Sequence, residues 1–106
     1  MSGGFGNLMR QVQQMQKKMG QIQDELNDKT VEGEAGQGKV KATVTGGLSV
    51  RSISIGKDAV DLEDMGMLED LVTVAVNDAI AKAKKMKEDE MGKLTAGLPA
   101  NMRGML

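Results

Sequence analysis

Six basic side chains carry the chemistry that is available to this chain: Arg10, Lys17 and Lys18 near the start, and Lys82, Lys84 and Lys85 near the end. The first group sits in "QVQQMQKKMGQIQ", Gln11 to Gln23, which holds six Gln, two Lys and two Met. The second sits in "KAKKMK", Lys82 to Lys87. Cations beside amides can bind phosphate oxygens, and amides can also reach base edges. They cannot supply a nucleophile with a neighbouring base, and no catalytic constellation can be assembled from the rest of the chain.

What is missing narrows the choice further. There is no Cys and no His. That removes thiolate and imidazole chemistry and nearly every zinc or haem site. No catalytic residue, metal ligand, cofactor or small-molecule substrate is therefore expected. The acids Asp58, Asp61, Glu63 and Asp64 lack the spacing of a calcium loop. They read as first-turn carboxylates of a helix. "GEAGQG", Gly33 to Gly38, lies between two strands and lacks the Lys-Ser/Thr ending of a phosphate loop. It reads as a hairpin connection.

The elements that must position the cations follow from periodicity. Leu8, Val12, Met15, Met19, Ile22 and Leu26 are spaced 4, 3, 4, 3, 4. Such a 3.5-residue repeat predicts a helix with a narrow apolar seam, ending near Asn27 or Asp28. A Gly-rich lead, Ser2 to Gly6, precedes it. On that helix Arg10, Lys17 and Asp24 share the line opposite the seam, and Gln13, Gln14 and Lys18 flank it. The order of charge, cations first and acids last, opposes the helix dipole. A solvated face accounts for these residues as well as a ligand does, but a local rule broken without structural gain often marks function.

Three strands are predicted next. Val31 to Glu34 is a weak one. Val40, Ala42 and Val44 alternate with polar residues and make a half-buried one. Gly46-Gly47 is a hairpin turn signal. In the third strand the apolar phase slips between Val50 and Ile53. A bulge near Arg51-Ser52 explains the slip, as does a strand covered on both faces.

A connection from Gly56 to Asp64 leads to a second long helix, with Asp61 or a neighbouring acid as its N-cap. Its stripe is Leu68, Leu71, Val72, Ala75, Val76, Ala79, Ala83 and Met86. Lys84 and Lys85 lie opposite the stripe, with Lys82 and Lys87 at its flanks. This helix is acidic at its start and basic toward its end, which suits the dipole and also describes a merely solubilising face. Fraying is expected beyond Glu90. Residues 1–96 read as one α+β domain (helix, three-stranded antiparallel sheet, long helix) and residues 97–106 as a mobile tail.

With 106 residues, a single aromatic and a net charge of −1, the chain has little to bury alone and no overall field. Pairing of two copies would cover spare apolar surface and could gather the scattered cations on one side. The near-absence of aromatics argues against single-strand binding by stacking, which leaves duplex DNA as the polyanion. No run is long and apolar enough for a membrane span, and no secretory signal is visible. A cytoplasmic protein is expected. The ten Met read as adaptable core and interface filler.

Three stretches, "VEGEAGQGKVKATVTG" from Val31, "MLEDLVTVAVNDAIAKA" from Met67 and "MGKLTAGLP" from Met91, resemble the YbaB/EbfC family of bacterial nucleoid-associated proteins. The Gln/Met-rich opening helix is also typical of it, and the resemblance spans almost the whole chain. It implies an α+β homodimer with a shared sheet and protruding helices. It also implies binding of double-stranded DNA with low sequence preference, a nucleoid location and a possible role in regulating expression. The DNA contacts it implies map to Arg10, Lys17, Lys18, Lys82, Lys84 and Lys85. The competing reading is a protein-interaction or adaptor module, in which the helical seams bind a protein partner and the basic patches only solubilise.

Overall fold

The structure is a computed structural model and describes residues 2–95. Helix α1 (Ser2–Asp28) leads into strands β1 (Thr30–Ala35), β2 (Val40–Thr45) and β3 (Val50–Ile55). A 3-10 turn (Lys57–Ala59) and helix α2 (Met65–Thr95) complete the α+β chain. The predicted tail, residues 97–106, lies outside the described residues.

Helix α1 starts at Ser2 rather than at Leu8, so the Gly-rich lead is helical. Phe5 stands three residues before Leu8 and carries the seam back one more step. At the other end three of the last four carbonyls of α1 have partners. Lys29 N–H donates to Glu25 O at 3.0 Å and Gly46 N–H donates to Leu26 O at 2.9 Å. The Arg51 guanidinium reaches Asn27 O at 3.3 Å. These bonds satisfy groups that a helix C-terminus leaves open. Gly46 is required there, since a Cβ would run into Leu26.

The sheet is antiparallel in the order β1-β2-β3. Gly33 faces Ala42, which in turn faces Ile53. The phase slip in β3 is a bulge: Val44 pairs with Val50 and Thr43 with Ser52, so Arg51 is the extra residue. All six β3 residues are exposed, which excludes a strand covered on both faces. The bulge puts Val50, Ile53 and Ile55 on the same face as Val44, Ala42 and Val40.

That face is the one α2 covers, but only over β1 and β2. Val40, Ala42 and Val44 pack against Leu68, Ala75, Ala79 and Ala83, with Leu71, Val72, Val76 and Ile80 around them. The helix can lie so close because both surfaces are small at the crossing. Gly33 presents only backbone to the backbone of Ala75 and Ala79, and a Cβ there would overlap both. Beyond the reach of α2, Val50, Ile53 and Ile55 stay 43–45% exposed.

The start of α2 is capped by Asp64, whose Oδ1 accepts from Met67 N–H at 3.2 Å. Asp61 serves one turn earlier, accepting from Glu63 N–H at 3.0 Å. Helix α2 does not fray at Glu90 but runs on to Thr95. Glu90 is held by Lys29 at 3.3 Å and Lys93 at 3.1 Å, which ties this part of the helix to the root of α1.

Candidate nucleic-acid interface

The molecule is long and thin, 75 × 22 × 16 Å. Much of that length is α1, whose 27 residues rise roughly 40 Å. Exposure along its seam tells where it leaves the body. Leu26 is fully buried, Ile22, Met19 and Met15 are half-buried, and Val12, Leu8 and Phe5 are 39%, 47% and 69% exposed. The helix is therefore rooted at its C-terminus and projects as an arm.

Arg10, Lys17 and Lys18 ride on that arm, all exposed. Lys84 and Lys85 are exposed on α2 in the turns that follow its last fully buried residue, Ala83. Among the described residues, none of these five cations makes an ion pair. The acids of α1, Asp24, Glu25 and Asp28, are gathered at its root instead. There the adverse dipole of the arm is answered from outside the helix by Arg51, a contact with no signal in the sequence.

Lys82 is placed differently. Its Nζ pairs with Asp78 at 3.2 Å and donates to Glu32 O at 3.0 Å. Asp78 in turn accepts from Glu34 N–H at 3.1 Å. That backbone bond, with help from Lys82, holds the Asp78 carboxyl below its ordinary range. Glu90 is likewise lowered, first by its hydrogen bond from Lys93 and then by that from Lys29. The structure thus divides the six predicted cations into three settings: the arm, the outer face of α2 and the edge of β1.

Lys82 and Lys85 also border a shallow groove of about 560 Å³ with Val31, Met86 and Lys93, and the acids Asp89 and Glu90 share its lining. A further basic group was not legible beforehand. Lys39, Lys41 and Lys57 meet at a groove of about 450 Å³ beside the first hairpin. Asp58 shares that lining, and Lys41 lies 3.7 Å from Glu32, so the charge there is largely offset. Only the pairing of β2 with β3 and the turn after β3 bring these lysines together.

An elongated body, an arm with unpaired cations and a small antiparallel sheet can be set beside known proteins. The sequence profile described as the YbaB/EbfC DNA-binding family matches residues 1–98. The chain belongs to the YbaB/EbfC DNA-binding family. A protein of Enterococcus faecalis named nucleoid-associated protein is 47% identical over 102 residues, 93% of this chain and 98% of that one. One of Pelotomaculum thermopropionicum with the same name is 45% identical over 98 residues, 92% and 93% of the two chains. The crystal structure of an uncharacterised protein of Helicobacter pylori superposes with a TM-score of 0.74. It is 19% identical and covers 85% of this chain and 95% of its own, which is likeness of fold.

YbaB/EbfC membership points to DNA as the class of ligand. The family is a DNA-binding family and not an enzyme family. Among the described residues no group of acids is placed to hold a metal ion. No helix among them is long and apolar enough to cross a membrane.

Proposed function

We propose that this chain is a nucleoid protein that binds double-stranded DNA as a homodimer, chiefly through phosphates and with little sequence preference. The observation that carries the reading is the α1 arm. Among the described residues it holds Arg10, Lys17 and Lys18 clear of any carboxylate partner, while its own acids are kept at the root. Lys84 and Lys85 add two more exposed cations without an ion pair among the described residues. Local potential, not net charge, decides phosphate binding. The Gln side chains between the cations add neutral hydrogen bonds to phosphate or base edges. Lys82 contributes less, because its ammonium is held by Asp78 and Glu32. Occupancy of promoter DNA gives such a protein a route to influence gene expression.

The homodimer reading is supported by the two sheet edges, which differ. On β1 the outward Glu32 carbonyl and Glu34 N–H are taken by Lys82 and Asp78. On β3 no described side chain takes the outward groups, and the apolar band Val50, Ile53 and Ile55 lies alongside. An open edge with an uncovered apolar face pairs with another strand. A second copy at β3 would extend the sheet and cover that band.

A gel-shift titration on random duplex and single-stranded DNA at several salt concentrations, with mass measured in solution, tests the proposal. Log affinity for duplex should fall linearly with log salt, by about 0.9 per phosphate neutralised. Affinity that ignores salt would remove the reading. A second reading, an adaptor that binds a protein partner, is favoured by one feature: the exposed apolar residues Phe5, Leu8 and Val12 on the same arm. Capture of one stoichiometric protein, unchanged by nuclease, would support it.

A further inference from the structure

Among the described residues the apolar seam of α1 is covered for only part of its length. At the root, Leu26 is sealed against Gly46. Ile22, Met19 and Met15 are half-buried, and toward the N-terminus exposure climbs through Val12 and Leu8 to 69% at Phe5. The spacing does not loosen as the cover ends. Phe5, Leu8, Val12 and Met15 keep the 3-4-3 steps of the buried part. A face left to solvent has no need of such steps. A 3.5-residue period is what a second helix, packed lengthwise along the first, requires of it.

We propose that this open stretch pairs antiparallel with the same stretch of α1 in a second copy of the chain, Phe5 facing the partner's Met15 and Leu8 facing the partner's Val12. The stretch rises about 15 Å, close to three turns of helix. The residues that border it on the heptad are Met9, Gln11 and Gln16, none of them charged. Charges at such border positions decide which helix a seam accepts. A neutral border raises no repulsion against an identical helix, and Gln amides both donate and accept, so they can bond one another across it. Arg10 and Lys17 lie on the opposite side of α1, clear of the contact.

The direction follows from shape and charge. Antiparallel arms hold the two folded bodies at opposite ends of the contact. They also set Lys17 and Lys18 of one arm away from the same lysines of the other. A parallel pair would bring both bodies to one end and the like cations level with each other. The seam lies on α1 and the open sheet edge on β3, so one copy can use both. Three turns of helix bury less than a stable dimer needs, and single arms therefore join weakly, at raised protein concentration. Copies already joined at β3 present two arms each, and the second arm contact then forms at high effective concentration. The contact uses the face of α1 opposite the cations and does not depend on DNA.

The chain has no Cys, so Leu8→Cys and Val12→Cys each give the full-length protein a single thiol on the seam. The two variants are mixed at high concentration without DNA and oxidised with glutathione disulfide, and two-chain products are identified by mass. The mixed disulfide should form in severalfold excess over the product that either variant gives alone. Phe5→Asp in both chains should remove that excess with helical content unchanged. The excess should persist when both chains also carry Ile53→Lys, which blocks the β3 edge. No mixed disulfide, equal yields from the mixture and the single variants, indifference to Phe5→Asp, or loss with Ile53→Lys would each overturn the proposal. A failed cross-link would leave the seam to a foreign protein, whatever the gel-shift titration shows for DNA.

Discussion

Asp78 Oδ2 lies 3.1 Å from Glu34 N and accepts its N–H, joining a helix side chain to the outer edge of β1. Lys82, one turn on, closes the neighbouring carbonyl of Glu32 at 3.0 Å. The two side chains pair with each other at 3.2 Å, so the edge is shut by an ion pair rather than by another strand. A sheet of three strands has two edges, and this device leaves β3 as the one available for pairing.

Opening the shut edge should change assembly more than stability. Asp78→Ala leaves the Glu34 N–H without its partner and frees Lys82. We expect species larger than a dimer to appear with rising concentration in analytical ultracentrifugation. A sedimentation profile identical to that of the native chain would mean that the pair does not guard the edge.

Acid should weaken the same contacts. Asp78 and Glu90 are both held below their ordinary values of 3.8 and 4.5 in the fold. A carboxylate lowered by folding binds fewer protons folded than unfolded. Its contribution is therefore complete above its ordinary value and disappears as pH falls through the lowered one. Melting temperature should drop below about pH 4.5 in the native chain, and less steeply in Asp78→Asn with Glu90→Gln. Equal slopes in the two proteins would assign the acid sensitivity to other groups.

Gly33 should tolerate nothing larger than hydrogen. A Cβ at this position would meet backbone atoms of Ala75 and Ala79, neither of which can step aside without moving α2. Overpacking costs about 1–3 kcal/mol, and the upper end is expected where the obstacle is backbone. Denaturant unfolding of Gly33→Ala should show that loss, whereas Gly20→Ala, where a Cβ meets nothing within 4 Å, should stabilise α1 by a few tenths to about 1 kcal/mol.

Charge on the arm should control affinity without touching assembly. Lys17→Glu with Lys18→Glu should weaken duplex binding at least tenfold and flatten the salt dependence, with molecular mass unchanged. Lys84→Glu with Lys85→Glu should act in the same direction. Lys82→Glu should instead disturb the β1 edge, and its effect should be visible in sedimentation. Unchanged affinity in the first variant would move the contact surface off α1.

The open edge invites the converse experiment. Ile53→Lys places a charge in the apolar band that α2 leaves uncovered, where it meets solvent in a lone chain and a partner in a dimer. A shift from dimer to monomer in light scattering, with helical content intact, is the expected result.

The sequence by itself determined the elements and their faces. The 3-4 spacing of α1, the alternation in β2 and the stripe of α2 each state a period, and a period is a local property of the chain. Even the bulge at Arg51 was written in the slipped phase of Val50 and Ile53, although a doubly covered strand was equally compatible until β3 proved exposed. Family kinship was legible for the same reason, since Val31 to Gly46 and Met67 to Ala83 are contiguous motifs. Helix ends were less so. Helix α1 takes in the glycines of its lead although Phe5 is exposed there, and α2 runs on past Glu90, which Lys29 holds from a distant part of the chain. The pairing of Lys82 with Asp78, one turn apart on α2, is itself a local pattern that Lys17, with Gln13 and Gln21 at the same distances, does not share. What only the tertiary structure decided is where that pair sits: Lys82 meets Glu32 O and Asp78 meets Glu34 N–H on the edge of β1. Those meetings span 50 and 44 positions of chain, and no local pattern encodes them.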